Sequence, residues 1–310
     1  MIMHRNDQTL AIRALKSAAP YIRMYKGKTF VVKAGGGVFA DGTATRVLVE
    51  QIAILHYFGV RVVLVHGGGP QLTELSAALG VPTRMVEGRR VTDQQAIDVT
   101  SMVLNGLINT RVLGICRDLN IDAVGISGVD AGLVRAHRRA PMKTGGGEIV
   151  DFGFVGDIDQ VDTSVLKKLL DNGLMPVVSP LSADESGTLL NINADTVAAA
   201  IGGALSAEKL VLCTGAQGIL ERLDDASSVV SYTDIKGLKR LRDQGALKDG
   251  MLPKAAAIEN AIRGGVRRVH VISYRSTDSL LAEIFTNEGT GTLVVADLTA
   301  LSPAEQSSAQ

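Results

Sequence analysis

At 310 residues the chain exceeds a typical single domain, so one large α/β domain or two joined halves are both open, and a sizeable core can be buried. Hydrophobic residues at 46% against 21% charged give enough apolar surface to offset chain entropy, which excludes disorder as the main state. Lys+Arg number 32 and Asp+Glu 32, so the basic excess that a nucleic-acid partner requires is missing.

The 34 glycines, beside no Trp and 4% aromatic residues, suggest backbone-lined loops and an aliphatic core rather than base-stacking platforms. Cys116 and Cys213 lie inside apolar runs and read as buried small hydrophobes, not as a disulfide or a thiolate metal site. The N-terminus carries Arg5 and Asp7 and no apolar run of signal-peptide length, and no later stretch is expected to reach the length of a membrane span. A cytoplasmic enzyme with no membrane partner is the expectation.

In chain order, residues 8–25 space Leu10, Ile12, Leu15 and Ile22 as a helix does, ahead of the first strong strand, and Pro20 is expected to kink or break that helix. Strand-like runs FVVK (30–33), VVLVH (62–66) and AVGIS (123–127) then alternate with helical patterns over 45–58 and 70–79. A longer helical pattern begins at Thr92, whose spacing to Gln95 matches a capping box, and runs towards Asn120. Between about Leu133 and Val161 the pattern alternates around a glycine run and reads as a surface hairpin. The rhythm resumes with MPVVSP (175–180), a helix from Ala194, LVLCT (210–214), helices near 234–243 and 252–264, VHVIS (269–273), a helix over 277–285 and a closing GTLVV strand. Such βα alternation predicts an α/β fold whose doubly wound, mainly parallel sheet is sandwiched by helices, with an extra N-terminal helix. A boundary is expected near residue 180, and residues 298–310 read as a disordered tail.

Four motifs carry chemistry. In FVVKAGGG a strand reaches Lys33 and runs into Gly35, Gly36 and Gly37, where backbone N–H groups can approach phosphate oxygens beside a point charge. Taken alone, a solvated lysine before a flexible turn reads equally well. VLVHGGGP repeats the pattern with Gly67, Gly68 and Gly69, and Pro70 suits a first helical turn. Two glycine turns at successive strand ends, at the edge where α/β folds bind ligands, favour an anion site over two unrelated turns. Neither matches GxxxxGK[ST] or GxGxxG, so a P-loop and a dinucleotide fold are excluded. In LLNINADTVAAAI, Asn191 and Asn193 precede Asp195 at a helix start, where a carboxylate more often serves only the helix dipole, although the paired asparagines raise the odds of a ligand role. KDGMLPKAAAIENAI puts Lys254 in a helix's first turn, the end at which the macrodipole disfavours a cation; such local violations are expected at functional sites, although a lysine reaching out to solvent is a fair alternative.

These motifs, in this order, resemble the amino acid kinase family, and the resemblance runs from about Pro20 to Val295. GRRVTDQQA resembles a GLRVTD segment of that family, and VGISGVD, FGFVGDI, EKLVLCT and FTNEGTGT follow the family's order as well. The likeness is to the branch that phosphorylates the γ-carboxylate of N-acetyl-L-glutamate with ATP, a step of arginine biosynthesis. It implies Lys33 and Lys254 on the transferring phosphoryl group, with Asp195 holding both ammonium groups. Gly35 and Gly36 would contact phosphate; Gly68, Gly69, Arg90 and Asn191 would bind the acyl-amino acid, Arg90 taking its α-carboxylate. Thr214, Gly215, Gly218 and Met251 would lie along the nucleotide, and Mg²⁺ would be held mainly by the nucleotide phosphates rather than by protein ligands. The resemblance also implies an acceptor-binding, dimerising lobe over 26–180 and a nucleotide lobe over 181–297. Residues 1–25 would interlace dimers into a hexamer, with Tyr21, Glu283 and Gly289 matching a site for arginine as an inhibitor.

The chemistry explains the residue types. An ionised carboxylate attacking a γ-phosphoryl group needs no general base, so catalysis reduces to positioning and charge neutralisation. The chain departs from the family at Gly215, where Asp follows Thr in the usual pattern, at Val129 within SGVD, and over Ser273–Asp278. Two further readings stay open: the same transfer onto a succinylated or aminoadipate analogue, and a weakly active kinase fold kept as a regulatory protein.

Overall fold

The computed structural model describes residues 5–225, 227–248 and 250–301. Eight strands form one sheet in the order Tyr232–Asp234, Thr292–Val295, Arg268–Ser273, Lys209–Thr214, Thr29–Ala34, Arg61–His66, Met175–Ser179, Ala123–Ser127. Every neighbouring pair is parallel except Arg268–Ser273 against Thr292–Val295. The central strands are apolar on both faces, as parallel strands covered by crossover helices must be. Val63 and Val65 enter one hydrophobic cluster with Val197, Ile201 and Ile258; Val62 and Leu64 enter a second with Leu48, Ile52 and Leu104. The expected helix-sandwiched, mainly parallel sheet is therefore present.

A second sheet of four strands joins Leu189–Asn191, Leu181–Ala183, Val134–Arg138 and Gly156–Val161. The hairpin expected over 133–161 forms, since Val134–Arg138 pairs antiparallel with Gly156–Val161. It is not merely a surface feature, because Val134 and Ala136 are buried in the first cluster.

Four expectations need correction. The break at Pro20 does not occur: one helix, Arg5–Tyr25, runs through it. Tyr25 is buried against Phe30 at 5.2 Å and Tyr21 packs edge-on to Phe285 at 6.2 Å, so tertiary packing on the turn after the proline outweighs the lost backbone hydrogen bond. The helix after GRRV is capped by Asp93, whose carboxylate accepts from the Ala96 N–H at 2.8 Å, and not by Thr92. Thr92 is held instead in extended backbone, its N–H donating to the Phe152 carbonyl and its own carbonyl accepting from Phe154.

The helix Gln94–Asp118 is long and apolar enough to cross a membrane, which no stretch was expected to be. Here it packs as a core helix, with Val103, Leu104, Ile108, Val112 and Cys116 buried in the second cluster, and its middle, Met102–Ile108, is widened to a π-helix. Finally, residues 298–301 are not a tail: Leu298–Ala300 form a 3-10 turn and Leu301 is buried with Leu293 and Val295. The tail reading from 302 onward lies outside the described residues.

Gly218 shows how tightly the second half closes. A Cβ there would lie 2.6 Å from Thr292 Oγ1 and 2.9 Å from Val229 Cγ1. Gly218→Ala should therefore destabilise the fold by ~1–3 kcal/mol through overpacking. A lowered urea midpoint at unchanged m-value would show it, and wild-type stability would remove the packing role.

Candidate active site

Alternation along Thr29–Ala34 sets Val31 and Lys33 on one face of the sheet. That face is covered by the helices Ala194–Ala204 and Met251–Arg263. Both begin near the strand ends and bring Asp195 and Lys254 to Lys33. Asn193 caps the first helix by accepting from the Asp195 and Thr196 N–H groups at 2.8 and 3.4 Å, which fixes the residue after next in the opening turn. Asp195 then bridges two cations: Oδ1 lies 2.8 Å from Lys33 Nζ and Oδ2 accepts from Lys254 Nζ at 2.9 Å, with all three side chains 9–10% exposed.

Burial pushes the Asp195 carboxyl up, and the two ammonium groups more than offset it, leaving the group below its ordinary value. Burial pushes Lys254 down; Asp195 opposes and Lys33 adds to that fall. The carboxylate thus keeps two like charges together where they would otherwise repel.

The two glycine turns lie side by side above this bridge. The Gly67 N–H donates to the Ala34 carbonyl at 2.8 Å, and Gln71 Nε2 donates to the Gly36 carbonyl at 2.9 Å. Close approach demands glycine at two of these positions. A Cβ on Gly36 would lie 2.6 Å from Pro70 Cδ, and one on Gly68 would lie 2.5 Å from Ile108 Cδ1. Together they wall a cavity of about 420 Å³ lined by Lys33, Gly36, Gly68, Gly69, Arg90 and Asn191, among others. Arg90 spends three of its five donors on protein, reaching Thr83 Oγ1 at 3.0 Å, Thr73 Oγ1 at 2.7 Å and the Gly69 carbonyl at 3.4 Å. It is anchored at the start of the helix Gly69–Ala78 with two donors left for a ligand. Asn191 Nδ2 donates to Thr92 Oγ1 at 3.3 Å.

The remaining predicted residues are placed differently. Gly35 adjoins the Cys213 carbonyl, so the first glycine turn neighbours Thr214 and Gly215 at the end of the adjacent strand. Thr214 Oγ1 closes a local turn with Ala216. A Cβ on Gly215 would sit 3.6–3.7 Å from three atoms of the Arg275 guanidinium, which lies flat over the glycine. Met251 opens its helix and packs half-buried on the first cluster, and Gly218 is closed off under Thr292.

Tyr21, Glu283 and Gly289 do come together, around a second cavity of about 440 Å³. The Tyr21 hydroxyl donates to Asn287 Oδ1 at 2.7 Å, and Gly289 sits at φ +64° with room for no Cβ beside Glu283. Glu283 accepts from the Thr290 N–H at 2.6 Å and from His270 Nδ1 at 2.7 Å. Burial, with Lys209 beside it, pushes His270 down to about 4, so its neutral ring accepts from Lys209 Nζ at 3.0 Å.

Sequence reasoning missed His270, although a histidine inside the apolar run VHVIS is a visible signal. It also missed His66, Gln71 and Asn109, polar side chains buried around the glycine turns, and Arg89 and Arg139, which line the first cavity. Among the described residues no three His, Cys, Asp or Glu side chains gather as a metal group.

Comparison with known proteins agrees with this geometry. Residues 28–273 match the model of the amino acid kinase family. The chain is 46% identical over 287 residues to acetylglutamate kinase of Myxococcus xanthus, covering 91% of this chain and 93% of that one. It is 44% identical over 281 residues to acetylglutamate kinase of Symbiobacterium thermophilum, covering 91% and 96%. Among solved structures, N-acetylglutamate synthase from Neisseria gonorrhoeae, complexed with coenzyme A and N-acetyl-glutamate, superposes with TM-score 0.80 at 27% identity. The match covers 92% of this chain, and the chain spans 63% of that structure. The same synthase complexed with coenzyme A and L-arginine gives 0.79 at 27%, with 92% and 65% covered.

Asp195→Asn should leave two buried ammonium groups uncompensated and cost ~3–5 kcal/mol. The sign with pH follows: a buried lysine with lowered native pKa binds fewer protons folded than unfolded, so the deficit should shrink as pH rises. Urea melts at two pH values check this; a deficit independent of pH would contradict it.

Proposed function

The chain belongs to the amino acid kinase family, and we propose that it transfers the γ-phosphoryl group of ATP to the γ-carboxylate of N-acetyl-L-glutamate, a step of arginine biosynthesis. One observation carries this reading: the Lys33–Asp195–Lys254 bridge adjoins a cavity lined by Lys33, Arg89, Arg90 and Arg139 and, among the described residues, by no carboxylate. Such a lining suits an acceptor that is itself an anion and arrives ionised. The acceptor oxygen forms a bond to phosphorus as the bond to the β-phosphate oxygen breaks, ADP leaves, and no proton is transferred. Lys33 and Lys254 bring two positive charges against the phosphoryl oxygens, Asp195 keeps them in register, and the glycine-turn N–H groups add donors. Arg90 fixes the other end of the acceptor, and Asn191 its acyl-amino group. Mg²⁺ would ride on the nucleotide phosphates.

The lobe over 26–180 would bind the acceptor and dimerise, and that over 181–297 would bind nucleotide at Thr214, Gly215 and Met251. A cytoplasmic location goes with ATP as donor. The cavity around Tyr21, Glu283 and Gly289 is the candidate arginine site, a reading supported by the arginine complex of the related synthase.

The direct test is acyl-phosphate formation, trapped with hydroxylamine, from N-acetyl-, N-succinyl- and free L-glutamate. The succinyl arm belongs there because Arg89 lines the cavity beside Arg139, whose Nε edge is already paired with Asp157, and a further carboxylate would have Arg89 to meet. N-acetyl-L-glutamate should be preferred; no turnover on it would overturn the reading. In the same assay Lys33→Ala and Lys254→Ala should each lower kcat ~100-fold or more. Arg90→Lys should mainly raise KM for the acceptor, by ~10-fold or more, since an ammonium cannot replace the guanidinium fork.

The helix Arg5–Tyr25 leaves Ile12, Leu15 and Met24 more than half exposed. We assign this stripe to a second copy of the chain, interlacing dimers into a hexamer. Light scattering should give a hexamer for the full chain and a dimer after removal of residues 1–25; a hexamer in both would show that the helix does not build it.

A further inference from the structure

His66 ends the strand Arg61–His66 immediately before the second glycine turn, and it is fully buried. Its surroundings fix which ring nitrogen carries the proton. Asn109, on the helix across the sheet edge, donates Nδ2 to the Val177 carbonyl at 3.0 Å. A carbonyl can only accept, so the amide group at that position is the NH₂ and not the oxygen. The same nitrogen lies 3.2 Å from His66 Nε2, which must therefore be the bare, accepting nitrogen. The proton is left on Nδ1, which donates to the Gly67 carbonyl at 3.3 Å. Burial, partly opposed by that bond, lowers His66 to about 4, so the ring stays neutral at physiological pH.

Asn109 is itself held in place. Its oxygen lies where a Cβ on Gly125 would come within 1.9 Å of it, so the opposite strand supplies glycine to make room. The result is a chain of donors from Asn109 through the imidazole to the Gly67 carbonyl.

In a trans peptide the C=O and the following N–H point in opposite directions. With the Gly67 carbonyl held towards the buried ring, the Gly68 N–H must point away from it, into the cavity that Gly67, Gly68 and Gly69 line. As the cap of the helix Gly69–Ala78, Gly68 has no intrahelical acceptor for that N–H. We infer that His66 is a positioning residue, whose neutral ring, set by Asn109, aims the Gly68 N–H at the anionic oxygens brought together during phosphoryl transfer. Gln71 and the Phe39 N–H hold a carbonyl of the first turn, that of Gly36. The inference rests on the kinase reading of the cavity, and wild-type turnover of N-acetyl-L-glutamate is the control that separates the two.

The test compares His66→Gln with His66→Asn. An asparagine amide can put an N–H near the place of Nδ1, whereas a glutamine amide falls near Nε2 and cannot reach the Gly67 carbonyl. His66→Gln should lower kcat ~100-fold, the size of effect expected from misaiming one reactive-site group, with KM for ATP little changed. His66→Asn should recover at least ~10-fold of that loss. Equal kcat in wild type and His66→Gln, or equal losses in both variants, would overturn the assignment. Nitrogen-15 NMR of wild-type imidazoles gives an answer independent of how the variants fold: Nδ1 should be protonated and Nε2 bare, and the reverse tautomer would overturn it outright.

Discussion

The site depends on one buried carboxylate. Asp195 is nine-tenths inaccessible, and its two oxygens each hold an ammonium group from a different element. Two cations confined in a low-dielectric space repel strongly, and each has lost its hydration. The bridge reduces their sum to one net positive charge while keeping both available to a third, anionic party. Three elements must therefore converge within hydrogen-bond reach: the strand Thr29–Ala34 and the opening turns of the helices Ala194–Ala204 and Met251–Arg263. Pairing of Thr29–Ala34 with Lys209–Thr214 brings the two halves of the chain into one sheet and makes that convergence a matter of topology.

Above the bridge the constraint is steric. Gly36 abuts Pro70, and Gly68 abuts Ile108 and Leu104, so the glycine turns are pressed between a proline and the widened helix Gln94–Asp118. Side chains there would push the turns apart by more than close packing tolerates. Glycine serves here as absent volume that lets backbone donors crowd round a ligand, and neither turn relies on positive φ. Loops so confined lose little further freedom on binding, which is what a site working by alignment requires.

Much of this was legible because strands and helices write different periods. The βα rhythm, the two glycine turns, Asp195 at a helix start and Lys254 against the dipole are local patterns, and the structure keeps each of them. What was not legible depends on partners distant in the chain. Nothing local tells that Asn109 will meet His66, 43 positions earlier, because beside Asn105, Thr110 and Arg111 it reads as one more polar, solvent-facing position of its helix. The short strands Arg84–Val86 and Arg89–Val91, which carry Arg90 to the cavity, are too brief to show alternation. Pro20 misled because propensity is a weak prior once two tyrosines on the following turn find aromatic partners.

Arg275 bears on the departure at Gly215, in the segment that the resemblance sets along the nucleotide. Where the family's usual pattern has Asp after Thr, this chain has Gly215, and the guanidinium of Arg275 lies flat across it while also facing the Tyr274 ring. A carboxylate at 215 would have that cation within easy reach and would pair with it first, since opposite charges so close form an ion pair before either turns to a third group. Glycine at 215 therefore does more than omit a polar contact: among the described residues it leaves the Arg275 guanidinium to the Tyr274 ring, with no carboxylate partner, at the end of the strand beside the first glycine turn. The strand end is then more positive than an aspartate at 215 would leave it, which is the direction that a polyphosphate placed there by the proposed reading needs.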